Sequence, residues 1–247
     1  MFALQRLSFR FPSLFDAASM AWFAQFAGIH NDLIAVIVSA ALLAGYQLFL
    51  RMKLRSNPAY TIQAVNSLAR TAWVQNVMSE GKDILAVQTL RNSTMAATFL
   101  ASTAVLLIMG VLTLTAQGEK LGETWHALNL MGTTHSTLWI AKLVLLLLDL
   151  FVVFFSFSMS IRIYNHVGYM INVPLSLAHK VISPEHVAMH LNRGGALYSI
   201  GMRAFYYTVP LVFWLFDPML MLLSTIVLLG VLFKLDRTPQ LLESDYA

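Results

Sequence analysis

The chain has 247 residues, 58% of them hydrophobic and only 11% charged, with a formal net charge of +4. Soluble proteins carry about 25% charged residues, so this chain lacks the charge to cover a globule in water, and lipid must cover part of it. A small basic excess on such a chain marks cytoplasmic loops rather than a nucleic-acid site. The absence of cysteine removes disulfides, thiolate metal ligands, iron–sulfur clusters and cysteine nucleophiles.

The N-terminal stretch is not a clean signal peptide, because its apolar part starts late and contains Asp16 and Gln25, so it is expected to stay in the mature protein. Residues 14–29 are apolar but interrupted by Asp16, Ser19 and Gln25. Phe15, Trp22, Phe23 and Phe26 suit an aromatic-anchored helix lying in the membrane interface, and residues 1–32 are read as that interfacial segment. A helix packed on the protein's own bundle is the alternative.

The first span is expected at about 33–50, ended by Arg51, Lys53 and Arg55 and closed by Asn57-Pro58. Between Tyr60 and Met78, Ile62, Val65, Leu68, Ala69, Ala72 and Trp73 recur at three- and four-residue spacing, which predicts an amphipathic helix. After Gly81 comes the run from Lys82 to Ala116, roughly 50 Å long as one helix and more than a bilayer core needs. It reads as a cytoplasmic stem continuing into a second span at about 94–116. Thr94, Thr98 and Ser102 share one of its faces, where small hydroxyl residues allow close helix approach.

A loop, 118–137, precedes a third span at about 138–160. Residues 161–206 form a second cytoplasmic helical segment, and a fourth apolar run covers about 207–233. Asp217-Pro218 in that run predicts a kink or break, since proline removes a backbone donor and clashes with the preceding turn. The fold class is therefore an all-α integral membrane protein of one domain. It has about four transmembrane helices, an N-terminal interfacial helix and amphipathic cytoplasmic helices.

Segments 51–93 (Arg51, Lys53, Arg55, Arg70, Lys82, Arg91) and 161–205 (Arg162, Lys180, Arg193, Arg203) hold most of the basic residues. Positive-inside placement puts both in the cytoplasm and, with four crossings, both termini outside. The expected location is the bacterial inner (cytoplasmic) membrane.

Lys142 and Asp149 stand seven residues apart on one face of the third span, and an ionisable group at mid-depth marks a pairing or a pathway. Asp217 is the second carboxyl at depth. Together they suggest a cation or proton site; alternatively Asp149 pairs with Lys142 or a helix hydroxyl, and Asp217 satisfies the broken backbone. Arg70, Gln88, Arg91, Asn92 and Arg203 complete the candidate polar pathway, with arginine snorkelling to phosphate as the alternative role.

Ser183-Pro184-Glu185 is a helix start, and His186 and His190 follow at a spacing that suits a metal only weakly. His126 and His135 in the outer loop have no third ligand nearby. No metal or other cofactor is expected. Gly194-Gly195 reads as a hinge or turn. Without GxSxG, HExxH, a Walker loop or GxGxxG, no enzyme signature is present.

The run Asn66, Ala69-Arg70 and Trp73-Val74, then LAVQTLRN at 85–92 with Met95, resembles domain-of-unknown-function family 599, uncharacterised multi-pass membrane proteins of bacteria and plants. FFSFSMSIR at 154–162, Tyr164-Asn165, Gly201-x-Arg203, Pro210, Trp214 and Asp217-Pro218 extend the resemblance over roughly residues 33 to 236. At 217 the family pattern favours glycine over aspartate. The resemblance implies a multi-pass fold and no mechanism.

Four spans are few to enclose a path, so self-association is expected. The functional expectation is a homo-oligomeric channel or transport-like protein; the alternative is a non-catalytic scaffold or accessory subunit with a membrane-protein partner. The lipid bilayer is the surrounding partner, and nucleic acid is not one.

Overall fold

The computed structural model describes residues 17–116, 136–174, 176 and 182–238. Among them the chain forms six helices: α1 (Ala17–Ser56), α2 (Ile62–Glu80), α3 (Asp83–Ala116), α4 (Ser136–Met170), α5 (Pro184–Phe216) and α6 (Pro218–Leu235). Four segments are long and apolar enough to cross a membrane: Ile29–Ser56, Asp83–Ala116, Leu138–Met170 and Pro218–Leu235. Their outward side chains stay uncovered, with Leu106 72% and Val227 66% exposed. An apolar surface of that extent requires lipid or another protein.

Local chemistry sets the helix ends. Thr61 caps α2 by accepting from the Ala64 amide at 3.3 Å. At its other end Gly81 adopts φ 66°, a left-handed conformation that glycine reaches without a Cβ penalty. Ser183 caps α5, with Pro184 at the first position, as its sequence predicts. Asp217 leaves the helical region (φ −159°, ψ 141°), ending α5, and its carboxylate then accepts from the Met219 amide at 2.7 Å to start α6.

Two expectations change here. The helix from Ala17 runs unbroken through Gly28 and Asn31-Asp32 into the first span, so residues 17–32 are not a separate helix; no proline stands at that junction to stop it. The side chains of Trp22, Phe23 and Phe26 lie outside the described set, as do Phe15 and the 118–135 loop with His126 and His135. The 207–233 run is divided by Asp217-Pro218, so the apolar helix is Pro218–Leu235 and the segment from Tyr207 to Phe216 completes α5.

Helix α5 is the hub. It runs antiparallel to α4, through Ser160–Gly194, Phe157–Tyr198, Asp149–Thr208 and Lys142–Trp214 contacts. Its last half therefore accompanies the spans through the same depth, although Arg203 and Thr208 make it less apolar than they are. Its buried face of Gly201, Ala204, Thr208, Trp214 and Leu215 is covered by neighbouring helices. The close approach to α4 depends on Gly201, where a Cβ would stand 3.0 Å from the Phe157 ring. Gly194 and Gly195 lie within continuous α5 and not at a hinge; a Cβ there would meet Tyr164 at 2.9 Å and the Arg70 guanidinium at 2.7 Å.

The alanines of α3 (Ala86, Ala97, Ala101, Ala104) form its packed face. The hydroxyl face expected to do so turns outward, and Thr98 bonds back to the Thr94 carbonyl. Below the membrane-spanning part, the ends of α3, α4 and α5 close with α2 around Val74, Val77, Leu90, Val167, Val187 and Leu191.

Helix α6 returns parallel to α1, with Thr225 against Ser39 and Asp236 against Tyr46. Its end is pinned to the α1–α2 turn by Ile62 N–H donating to Asp236 and Thr238 N–H donating to Tyr60. Asp32 and Asp236 thus sit at opposite ends of the bundle.

Candidate polar cleft

Three helices build a cleft of about 600 Å³. Gln47, Leu50, Arg51 and Leu54 of α1 form one wall, Asp149 and Val152 of α4 the other, and Ser199, Ile200, Arg203 and Tyr207 of α5 its floor; Thr61 and Gln63 line its lower end. At the opposite end α1 and α4 are joined by a buried ion pair, Lys142 Nζ to Asp32 Oδ1 at 2.8 Å. Lys142 also donates to the Trp214 carbonyl at 3.1 Å, and the Trp214 indole N–H donates to Asp32 at 2.8 Å.

Lys142 therefore does not pair with Asp149. The two lie on one helix about 10 Å apart along its axis, and each reaches a different neighbour. Asp149 is half-buried and accepts from the Thr208 hydroxyl at 2.8 Å. Asp217 is buried at the α5–α6 break, where it caps backbone and lines no part of the cleft.

Arg203 lines the cleft with its charge already balanced. It donates to Gln47 at 2.5 Å and to Asp236 at 3.1 Å; Tyr46 donates to the other Asp236 oxygen at 2.8 Å, and Gln47 donates to Tyr207 at 2.7 Å. This network joins α1, α5 and α6. Sequence reasoning missed Asp32, Gln47 and Asp236, because Asp32 lay just before the first span and Asp236 in what read as a polar tail.

Arg70, Arg91 and Arg203 do not share one mouth within a chain. Arg70 lies on α2 in a second pocket of about 360 Å³. Gln88, Arg91 and Asn92 are exposed on the α3 stem and line neither cavity. His186 and His190 meet through their Nε2 atoms at 3.1 Å, so one ring donates to the other. Burial first, then His186, Arg193 and His166, hold the His190 pKa below its ordinary value. Among the described residues no group of three or more His, Asp or Glu is arranged to hold a metal.

The model of the family described as "Protein of unknown function, DUF599" matches residues 34–241. The chain belongs to that family. No curated protein and no solved structure matches it. The DUF599 match covers all six helices apart from the start of α1, so the cleft and the Arg70 pocket are both built from DUF599 residues.

Proposed function

We propose that this DUF599 protein is a non-enzymatic, transport-like membrane protein acting as a homo-oligomer, with Asp149 binding a cation or proton in the cleft. One observation carries the reading. Asp32 has Lys142, Asp236 has Arg203 and Tyr46, and Asp217 caps backbone, whereas Asp149 has the Thr208 hydroxyl and an open cleft. A carboxylate at membrane depth facing a cavity is a pathway residue by default.

The bundle end that carries Arg51, Lys53, Arg55, Arg70, Lys82, Arg91, Arg162 and Arg193 also carries Lys234 and Arg237, since Arg237 pairs with Thr61. We place this end in the cytoplasm by the positive-inside rule. The cleft then opens toward the cytoplasm, the α1 start lies outside, and Asp236–Thr238 lie inside. That revises the expectation of both termini outside. At the level of Gln47 and Asp149, α1 and α4 face each other across the cleft, so a second copy over it would enclose the path. We assign the protein to the bacterial inner membrane.

The scaffold reading rests on a different feature, the exposed stem row of Ile84, Gln88, Arg91 and Met95. Flux in reconstituted vesicles separates the two. Under imposed proton or alkali-cation gradients, wild-type vesicles should conduct, and Asp149→Asn should lose that conductance while eluting as the same oligomer. Absence of wild-type flux, with a partner retained in mild detergent, would establish the scaffold instead.

A further inference from the structure

The pocket around Arg70 is a separate site. Its walls come from α2 (Asn66, Arg70, Trp73), α3 (Thr89, Ser93) and α4 (Tyr164), with Leu191 of α5 behind. Arg70 is held firmly: its Nε donates to the Asn192 amide oxygen at 2.8 Å, and the Asn192 amide nitrogen donates to Thr71 at 3.0 Å. The guanidinium lies flat on α5 at Gly195, where even a methyl group would overlap it. Only Nε is used by this anchor. Among the described residues the two terminal nitrogens have no carboxylate partner, and no Asp or Glu lines the pocket.

A half-buried cation without a counter-charge is costly, and a bound anion relieves that cost. A second observation points the same way. Tyr164, only 7% exposed, also lines the pocket and brings a phenolic donor to its wall. Burial lowers the Arg70 pKa, and the Tyr164 ring and the Arg70 guanidinium rest on the adjacent glycines Gly194 and Gly195 of α5. With the Trp73 indole N–H, the Asn66 amide and the Thr89 hydroxyl, the pocket offers donors around a fixed guanidinium fork. That fork geometry matches two oxygens of a phosphate.

We propose that Arg70 and Tyr164 form a binding site for a phosphate group, carried by an anionic lipid headgroup or by a soluble phosphate. Thr89 and Ser93 place it where the α3 stem meets the second span, within reach of either source. The site shares no lining residue with the Asp149 cleft and stands or falls independently of the transport reading.

The test uses the full chain in a phosphate-free maltoside detergent with two probes. Inorganic phosphate is titrated by calorimetry, and phosphatidylglycerol retention is read by native mass spectrometry. At least one probe should bind saturably at one per chain. Arg70→Gln should weaken it about tenfold or more, as expected for loss of a charged hydrogen-bonding partner. Tyr164→Phe removes only the hydroxyl; it should weaken binding by a smaller factor with the unfolding temperature unchanged, which keeps the test decisive if Arg70→Gln folds poorly. Phosphatidylglycerol alone identifies a lipid site, and inorganic phosphate alone a soluble ligand. No saturable binding of either probe, or binding unchanged in both variants, overturns the proposal.

Discussion

The pair Asp32–Lys142 joins α1 to α4, and Trp214 of α5 bonds to both members, so cutting it should loosen three helices at once. The side chains are 2% and 3% exposed. Asp32→Ala leaves the ammonium with the Trp214 carbonyl and ring but no described carboxylate, and removes the acceptor of the Trp214 indole N–H. Breaking a buried pair from one side costs about 3–5 kcal/mol, because the remaining charge stays buried and uncompensated. For a chain of this size that is a loss of roughly 6–20 °C in unfolding temperature. Lys142→Met alone should cost a similar amount by taking the ammonium from the buried carboxylate, which keeps the Trp214 indole N–H. The double variant Asp32→Asn/Lys142→Met removes both charges and keeps an oxygen to accept from the indole, so it should recover most of the loss. Thermal unfolding in detergent, followed by tryptophan fluorescence, measures all three. Single variants that unfold within about 2 °C of wild type, or a double variant as unstable as the summed singles, would show that the pair does not hold these helices together.

Three further outcomes follow from the geometry. Gly201→Ala sets a methyl against the fully buried Phe157 ring and should cost about 1–3 kcal/mol in the same unfolding assay; Gly230→Ala, with nothing within 4 Å, should be neutral or slightly stabilising. Asp217→Ala removes the cap of α6 and should cost about 1 kcal/mol, read as faster amide exchange in the first turn after Pro218. The His190 pKa lies below its ordinary value, so protonation is harder in the folded chain than in the unfolded one. Its contribution to stability is full above about pH 6.5 and declines as pH falls through that value toward the folded pKa. His190→Gln should flatten that acid-side slope in unfolding scans between pH 5 and 8.

Much of the fold was legible because lipid imposes a coarse rule. Long uncharged runs identify spans, and all four apolar segments overlap the expected ones, the fourth only from Pro218 on. The break at Asp217 could be read because proline allows few backbone conformations. What escaped was α5. Residues up to 206 read as cytoplasmic and 207–216 as the start of the fourth run, and only tertiary packing against α4 and α1 shows that one helix joins them and that Arg203 and Thr208 are satisfied along it. Helix α5 thus accompanies α4 along the bundle although it is not among the four segments apolar enough to span. Asp32 was invisible for a related reason: a charge just before a span reads as surface until its partner, Lys142, is known to sit at the same level. Asp149 could be singled out by depth alone. Its partner could be foreseen only as some hydroxyl, not as Thr208.

If the cleft between α1, α4 and α5 holds water and reaches Asp149, its lining side chains are open to aqueous reagents. The chain has no native cysteine, so single-cysteine variants report solvent access directly. Val152 lines the cleft one turn from Asp149, while Leu148 lies outside it, and both are exposed, at 49% and 57%. A membrane-impermeant maleimide applied from the cytoplasmic face should label Val152→Cys and leave Leu148→Cys unreacted. Equal protection of the two, or equal labelling, would contradict a water-filled path to Asp149.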